Sequence, residues 1–144
     1  MKAKKSIKRT GFTLVELAVV IVIIGVLAAF AVPRFRAAVE RSKASEAFNY
    51  LASFQAAQEI YHARIGRYAD PNALTSLDVT MSVPKYFTLG TITTTDWTSD
   101  WTLTLTRKAS SGGYGVYTVI YTNEGYDTTS GIETLTAINP MGIS

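Results

Sequence analysis

Cysteine is absent from the 144 residues, which excludes a disulfide framework, a thiolate metal site and a catalytic thiol. If the protein works outside the cytoplasm, packing or neighbouring molecules must hold it together without covalent staples. Histidine occurs once, as His62, so neither a zinc ligand set nor a nucleophilic triad can be built around it. Beside Tyr61, Ala63 and Arg64, His62 reads as an exposed or helix-capping residue. No GxGxxG or P-loop sequence occurs, because "SSGGYG" lacks the strand-to-helix setting and the Lys-Ser/Thr ending. The oxygen-rich stretch "NEGYDTTSGIE", with Asn123, Glu124, Asp127 and Glu133, lacks an EF-hand pattern and reads as a solvated loop before it reads as a calcium site. Asp96 and Asp100 each precede a Trp and suit a turn rather than a catalytic pair. No enzymatic activity, catalytic residue, cofactor or metal is expected.

Charge is sparse and uneven. Five of the fourteen basic residues (Lys2, Lys4, Lys5, Lys8 and Arg9) precede Gly11, where there is no acidic residue; the rest of the chain has nine basic against eleven acidic residues. The basic balance therefore belongs to the leader, and no specific nucleic-acid site is indicated by the dispersed Lys and Arg that follow.

From Phe12 to Val32 the chain is apolar except for Thr13 and Glu16. At ~1.5 Å per residue this run covers about 32 Å, enough to cross a bilayer core as a helix. Lipid leaves helix as the only single-segment solution, because every backbone group must be bonded within the segment. Gly25 and Pro33 are expected to interrupt it and to leave a soft section between them, since Pro33 deprives the Ala29 carbonyl of its usual donor. Beyond Pro33, Phe35, Val39, Ala44, Ala47, Phe48, Leu51, Phe54, Tyr61 and Ile65 recur mostly at three- and four-residue steps, with charged residues such as Glu40 between them. That pattern predicts an amphipathic helix ending at Gly66, with Pro71 discouraging continuation.

The period then changes to two. "WTLTLTR" (101–107) and "GVYTVIYT" (115–122), separated by "KASSGGYG", predict a hairpin, with "KYFTLGTIT" before it and "IETLTAI" (132–138) after it as further strands. The eight aromatic residues from Tyr86 to Tyr126 read as sheet core and cross-strand pairs. The expected fold class is α+β: a long N-terminal helix, half hydrophobic and half amphipathic, packed on an antiparallel sheet of about four strands. The expected organisation is a basic leader (1–11), a hydrophobic helix (12–32), its amphipathic continuation (33–66) and a β headgroup (67–144).

A carboxylate inside a membrane segment costs roughly 2.5–3.5 kcal/mol on insertion scales, so Glu16 requires an explanation. A secretory signal cut near "AFA" (29–31), releasing a binding domain, is one reading, but the apolar run exceeds the usual ~7–15 residues. A plain single-pass anchor leaves Glu16 without a role. "GFTLVELAVVIVIIGVLAAFAVPRF" (11–35) instead resembles the N-terminus of type IV pilins and of the related type II secretion pseudopilins.

That resemblance implies cleavage after Gly11 by a prepilin peptidase, methylation of the new amino group on Phe12, and assembly into a helical filament through the hydrophobic helices. It places Glu16 fifth from the new terminus, where the family's glutamate meets the terminal amine of a neighbouring copy, and puts Gly25 and Pro33 at the family's helix-breaking positions. It further implies membrane lipid before assembly, and an inner-membrane platform with its ATPase as partners. The precursor would be a single-pass inner-membrane protein and the mature form an extracellular pilus serving adhesion, twitching motility or DNA uptake. A periplasmic secretion pseudopilus is the alternative within the same family. Many pilins close their last segment with a disulfide loop; here packing of "ETLTAINPMGIS" onto the sheet must replace it.

Overall fold

A computed structural model describes residues 11–71, 77, 84–109 and 113–142. It divides into two compact units, residues 1–35 and 36–144. One helix, α1 (Leu14–Ile65), contributes to both. In the first unit its apolar side chains are exposed from Leu14 to Val32. Gly25 and Pro33, expected to interrupt the helix, both lie inside it, and the helix continues through them. The helix stops where Gly66 turns to φ 83° and its N–H returns to the His62 carbonyl at 2.8 Å, a conformation that glycine adopts without a Cβ penalty.

The second unit packs the residue 36–65 part of α1 on a four-stranded sheet. The strands are β1 (Phe87–Leu89), β2 (Thr102–Arg107), β3 (Thr118–Thr122) and β4 (Gly125–Tyr126), in sequential antiparallel order. The expected hairpin forms with Thr102 opposite Thr122 and Thr106 opposite Thr118. Strict alternation along β2 sends Leu103, Leu105 and Arg107 inward and the threonines outward. Against this face α1 lays Ala44, Ala47, Phe48, Leu51, Phe54 and Ala57. The small alanines let the helix approach closely, while Phe54 meets Trp101 edge-on at 5.2 Å and Phe48 meets Tyr126 at the same distance.

Three expectations need correction. Ile132–Ile138 is not a strand: Gly131–Thr134 forms a 3-10 helix followed by turns, and the fourth strand is Gly125–Tyr126, inside the stretch read as a loop. The reason is that the outer edge of β3 is occupied in another way. The Ile120 N–H donates to Ser130 Oγ at 2.9 Å, the Ile120 carbonyl accepts from Asp127 N at 3.0 Å, and Gly131 N donates to Thr118 Oγ1 at 3.0 Å. The two Ile120 bonds use backbone edge groups that a further strand would have paired, the third ties Gly131 to the Thr118 side chain, and Ile132 and Ile138 supply the apolar anchors, both fully buried.

Second, the buried stripe of α1 is not the predicted one at its ends: Phe35, Val39 and Ile65 are exposed, whereas Glu40 and Gln58 are buried. Third, His62 is neither free in solvent nor a helix cap. Its ring stacks on Tyr68 at 4.4 Å and Nε2 donates to the Thr98 carbonyl at 3.2 Å. The turn expected at residues 96–100 is present, organised by Asp100, whose carboxylate accepts from Thr94 Oγ1, Thr95 N and Oγ1, and Asp96 N.

Candidate functional site

The candidate site is the start of α1. Residues 11–13 are non-helical and exposed, which puts the Gly11–Phe12 bond ahead of the first helical turn. Thr13 is the cap residue, because its carbonyl already accepts from Leu17 N at 3.3 Å. Glu16 Oε2 accepts from Thr13 N at 2.7 Å and from Thr13 Oγ1 at 2.8 Å, while Glu16 N donates to Thr13 Oγ1 at 3.2 Å. Thr-Leu-Val-Glu is thus a reciprocal capping box, in which side chains satisfy the amides of the cap residue and of the third helical residue. Within one chain, Glu16 has a partner. The T-x-x-E spacing carried that signal in the sequence.

Behind the cap, the large apolar side chains from Leu14 to Val32 are exposed, as is Phe12 ahead of it: Phe12 is 85% exposed and Phe30 72%. This is the one helix among the described residues that is long and apolar enough to cross a membrane. Gly25 and Gly11 have nothing within 4 Å of where a Cβ would stand. The structure therefore brings Gly11, Phe12 and Glu16 together at one helix end, and leaves Gly25 and Pro33 further along the same helix.

A second constellation escaped the sequence reading. Arg107 Nε donates to Glu40 Oε1 at 2.5 Å and Nη2 to Oε2 at 3.3 Å, with Tyr117 OH at 3.1 Å from Oε1 and Lys43 Nζ at 3.3 Å from Oε2. Burial pushes the Glu40 carboxyl up, but hydrogen bonding and charge from Arg107, with Lys43 and Tyr117, outweigh it and hold the group below the ordinary carboxylate range. Burial, then the Glu40 charge, pushes the Tyr117 hydroxyl up. Glu40 and Arg107 are buried against each other while Lys43 reaches them from a partly exposed position, so the cluster joins helix to sheet. Gln58 does similar work, bonding both the N–H and the carbonyl of Ala69, at 2.7 and 3.0 Å. The periods were visible: Glu40 and Gln58 continue the 44, 47, 51, 54 stripe, and Arg107 continues the inward alternation of Leu103 and Leu105. Among the described residues no group of three or more His, Cys, Asp or Glu residues is placed to hold a metal.

Residues 7–32 match the family model described as the prokaryotic N-terminal methylation motif, and the chain's relatives are type IV pilins and a type II secretion pseudopilin. In particular, the chain is 42% identical over 72 residues to the fimbrial protein EcpC of Eikenella corrodens, covering 50% of this chain and 47% of that one. It is 44% identical over 63 residues to the type IV major pilin protein PilA of Myxococcus xanthus (44% of this chain, 29% of that one). It is 40% identical over 58 residues to the type II secretion system core protein G of Vibrio cholerae (40% of each). The matches thus span less than half the length of each of these relatives. None of the three is named for an enzymatic activity. No solved structure matches the chain significantly.

Proposed function

We propose that the protein is a type IV pilin-type structural subunit, made as a membrane-anchored precursor and polymerised into a filament through its apolar helix. A prepilin peptidase removes residues 1–11 and methylates the amine of Phe12. An inner-membrane platform and its ATPase then draw the subunit out of lipid into an extracellular fibre. The observation that carries this reading is the methylation motif at residues 7–32, whose apolar helix is exposed and has one carboxylate in its first turn. An exposed apolar surface of this extent is stable against lipid or against copies of itself.

On this reading Glu16 changes partner. In the single chain it caps its own helix through Thr13; in the fibre it meets the Phe12 ammonium of the next copy. A buried charge pair contributes more to register than to net stability, because an unpaired member is so costly. Heterologous contacts of this kind do not close, and so generate filaments. Gly25 and Pro33 serve as the section that yields as the helix leaves the bilayer.

The test is the N-terminus of the processed protein. A chain beginning at methylated Phe12 supports the reading; a chain beginning near Val32 replaces it with secretion after ordinary signal cleavage. The relative named as a secretion core protein favours one second reading, a periplasmic pseudopilus, and imaging of fibres on the cell surface distinguishes the two.

A further inference from the structure

Within the second unit, the way α1 lies along β2 sorts the charges. Glu40 meets Arg107 at the end of β2, whereas Phe54 meets Trp101 edge-on just before its start. Strand rise puts Trp101 and Arg107 about 20 Å apart. Helix rise puts Phe54 and Glu40 about 21 Å apart. Helix and strand therefore run antiparallel over the same length.

At the Arg107 end, three cations surround the ring of Tyr86: Lys43 Nζ at 5.4 Å, Lys85 Nζ at 5.4 Å and Arg107 Cζ at 5.5 Å. Lys108 Nζ joins them by donating to the Lys85 carbonyl at 3.1 Å. Among the described residues the carboxylates there are engaged, Glu40 with Arg107, and Glu46 with the backbone amides of Lys85 and Tyr86 at 2.8 and 2.9 Å. Lys85 and Lys108 are exposed.

At the Trp101 end carboxylates outnumber the cations Arg64 and Arg67, of which Arg67 is paired with Asp70 and sits next to Tyr68, whose N–H bonds the Trp97 carbonyl. Asp96 and Asp100 lie in the turn before β2. Glu124 lies at the same end, because Thr122 pairs with Thr102. Glu59 is one turn short of His62, which bonds Thr98 in that turn. Hydrogen bonds from the Thr94 hydroxyl, the Asp96 amide and the Thr95 hydroxyl hold Asp100 down at about 2, so its charge is permanent near neutrality.

Poles about 20 Å apart exceed two Debye lengths at physiological salt, so they do not neutralise each other within one subunit. Two copies meeting end to end bring them into contact. We propose that the basic pole around Tyr86 docks on the acidic pole, built from the 96–100 turn and the β3–β4 turn, of a second copy stacked head to tail along α1. The contact rests on the filament reading and adds a headgroup register to it. Head-to-head pairing would place like charges opposite each other. Head-to-tail pairing joins two different surfaces and remains open.

The absence of cysteine makes the test clean. Full-length chains carrying Lys85→Cys are mixed, in detergent, with full-length chains carrying Glu124→Cys under mild oxidation. Disulfide dimers between the two variants are expected in excess of those formed within either variant alone. Preferential Lys85→Cys homodimers would overturn the proposal. In cells, Lys85→Glu with Lys108→Glu, or Glu59→Lys with Glu124→Lys, is expected to reduce assembled protein roughly tenfold, as like charges come to face each other. The four changes together restore it. Thermal melting of each variant establishes that it folds; folded paired variants that assemble normally, or a folded quadruple variant without recovery, also overturn the contact. The crosslink does not depend on leader cleavage, so a chain that is never processed yet crosslinks head to tail refutes the pilin reading alone.

Discussion

Glu40 and Arg107, sixty-seven residues apart in the chain, form an ion pair in which neither side chain is more than 4% exposed. It joins the helix to the last residue of β2, and Tyr117, just before β3, donates its hydroxyl to the same carboxylate.

Removing one partner leaves the other charged and buried. Glu40→Ala or Arg107→Ala is therefore expected to destabilise the protein by about 3–5 kcal/mol, read as a shift in the denaturant midpoint. Replacing the cluster with apolar residues of similar volume, as Glu40→Met, Arg107→Met and Tyr117→Phe together, is expected to cost far less than the sum of the single changes. Additive losses would show that the charges are not compensating each other.

Acid should unfold the headgroup through the same carboxylate. The Glu40 carboxyl lies below its unfolded value of about 4.3. Its stabilisation is complete above that value and is lost as pH falls through the lower, folded one. Thermal midpoints measured downward from pH 7 are expected to stay level to about pH 5 and then drop. Glu40→Gln should start lower and fall less steeply over that window; an unchanged slope would exclude Glu40 as a source of the acid sensitivity.

Gly90 and Gly25 should respond in opposite ways to alanine. A Cβ at Gly90 would stand 2.6 Å from the Thr104 carbonyl oxygen, the atom that accepts the Gly90 N–H at 2.9 Å, so β1 must move off β2. The expected cost is ~1–3 kcal/mol, measured by denaturant unfolding. Nothing lies within 4 Å at Gly25, and alanine there gains ~1 kcal/mol of helix propensity. A loss of fibres from Gly25→Ala would thus report on contacts between copies or on the proposed softening, not on the single chain.

Glu16→Gln is expected to insert in the membrane and to be cut normally, but to yield few fibres by electron microscopy. Thr13→Val removes the hydroxyl that caps the helix and should cost about 1 kcal/mol locally, seen as faster hydrogen exchange at the Glu16 amide in micelles. Thr13→Ser should restore protection. Normal fibres from Glu16→Gln would remove the carboxylate from the account of assembly.

Much of the candidate site was legible in order along the chain, because its interactions are local. The apolar run and the glycine before it were read directly; the T-x-x-E box lies in the same stretch and closes over three residues, but the sequence reading passed over it and left Glu16 without a partner in its own chain. The long helix and the central hairpin were equally legible from their periods. Less legible was 132–138: its apolar and β-branched residues fit a strand, but the Ile120 N–H on the neighbouring edge is satisfied by the Ser130 hydroxyl, a contact that no local pattern announces.

By itself, the sequence determined the helix, where it starts, and the alternation of the β2–β3 hairpin, since periodicity and capping are properties of neighbouring residues. Only the tertiary structure decided that Glu40 and Arg107 meet, that Gln58 clamps Ala69, and that Lys43, Lys85 and Arg107 gather around the Tyr86 ring. Those outcomes depend on the register between a helix and a strand formed from distant parts of the chain. Register is set by the packing of Ala44, Leu51 and Phe54 on Leu103, Leu105 and Trp101, which no local pattern specifies.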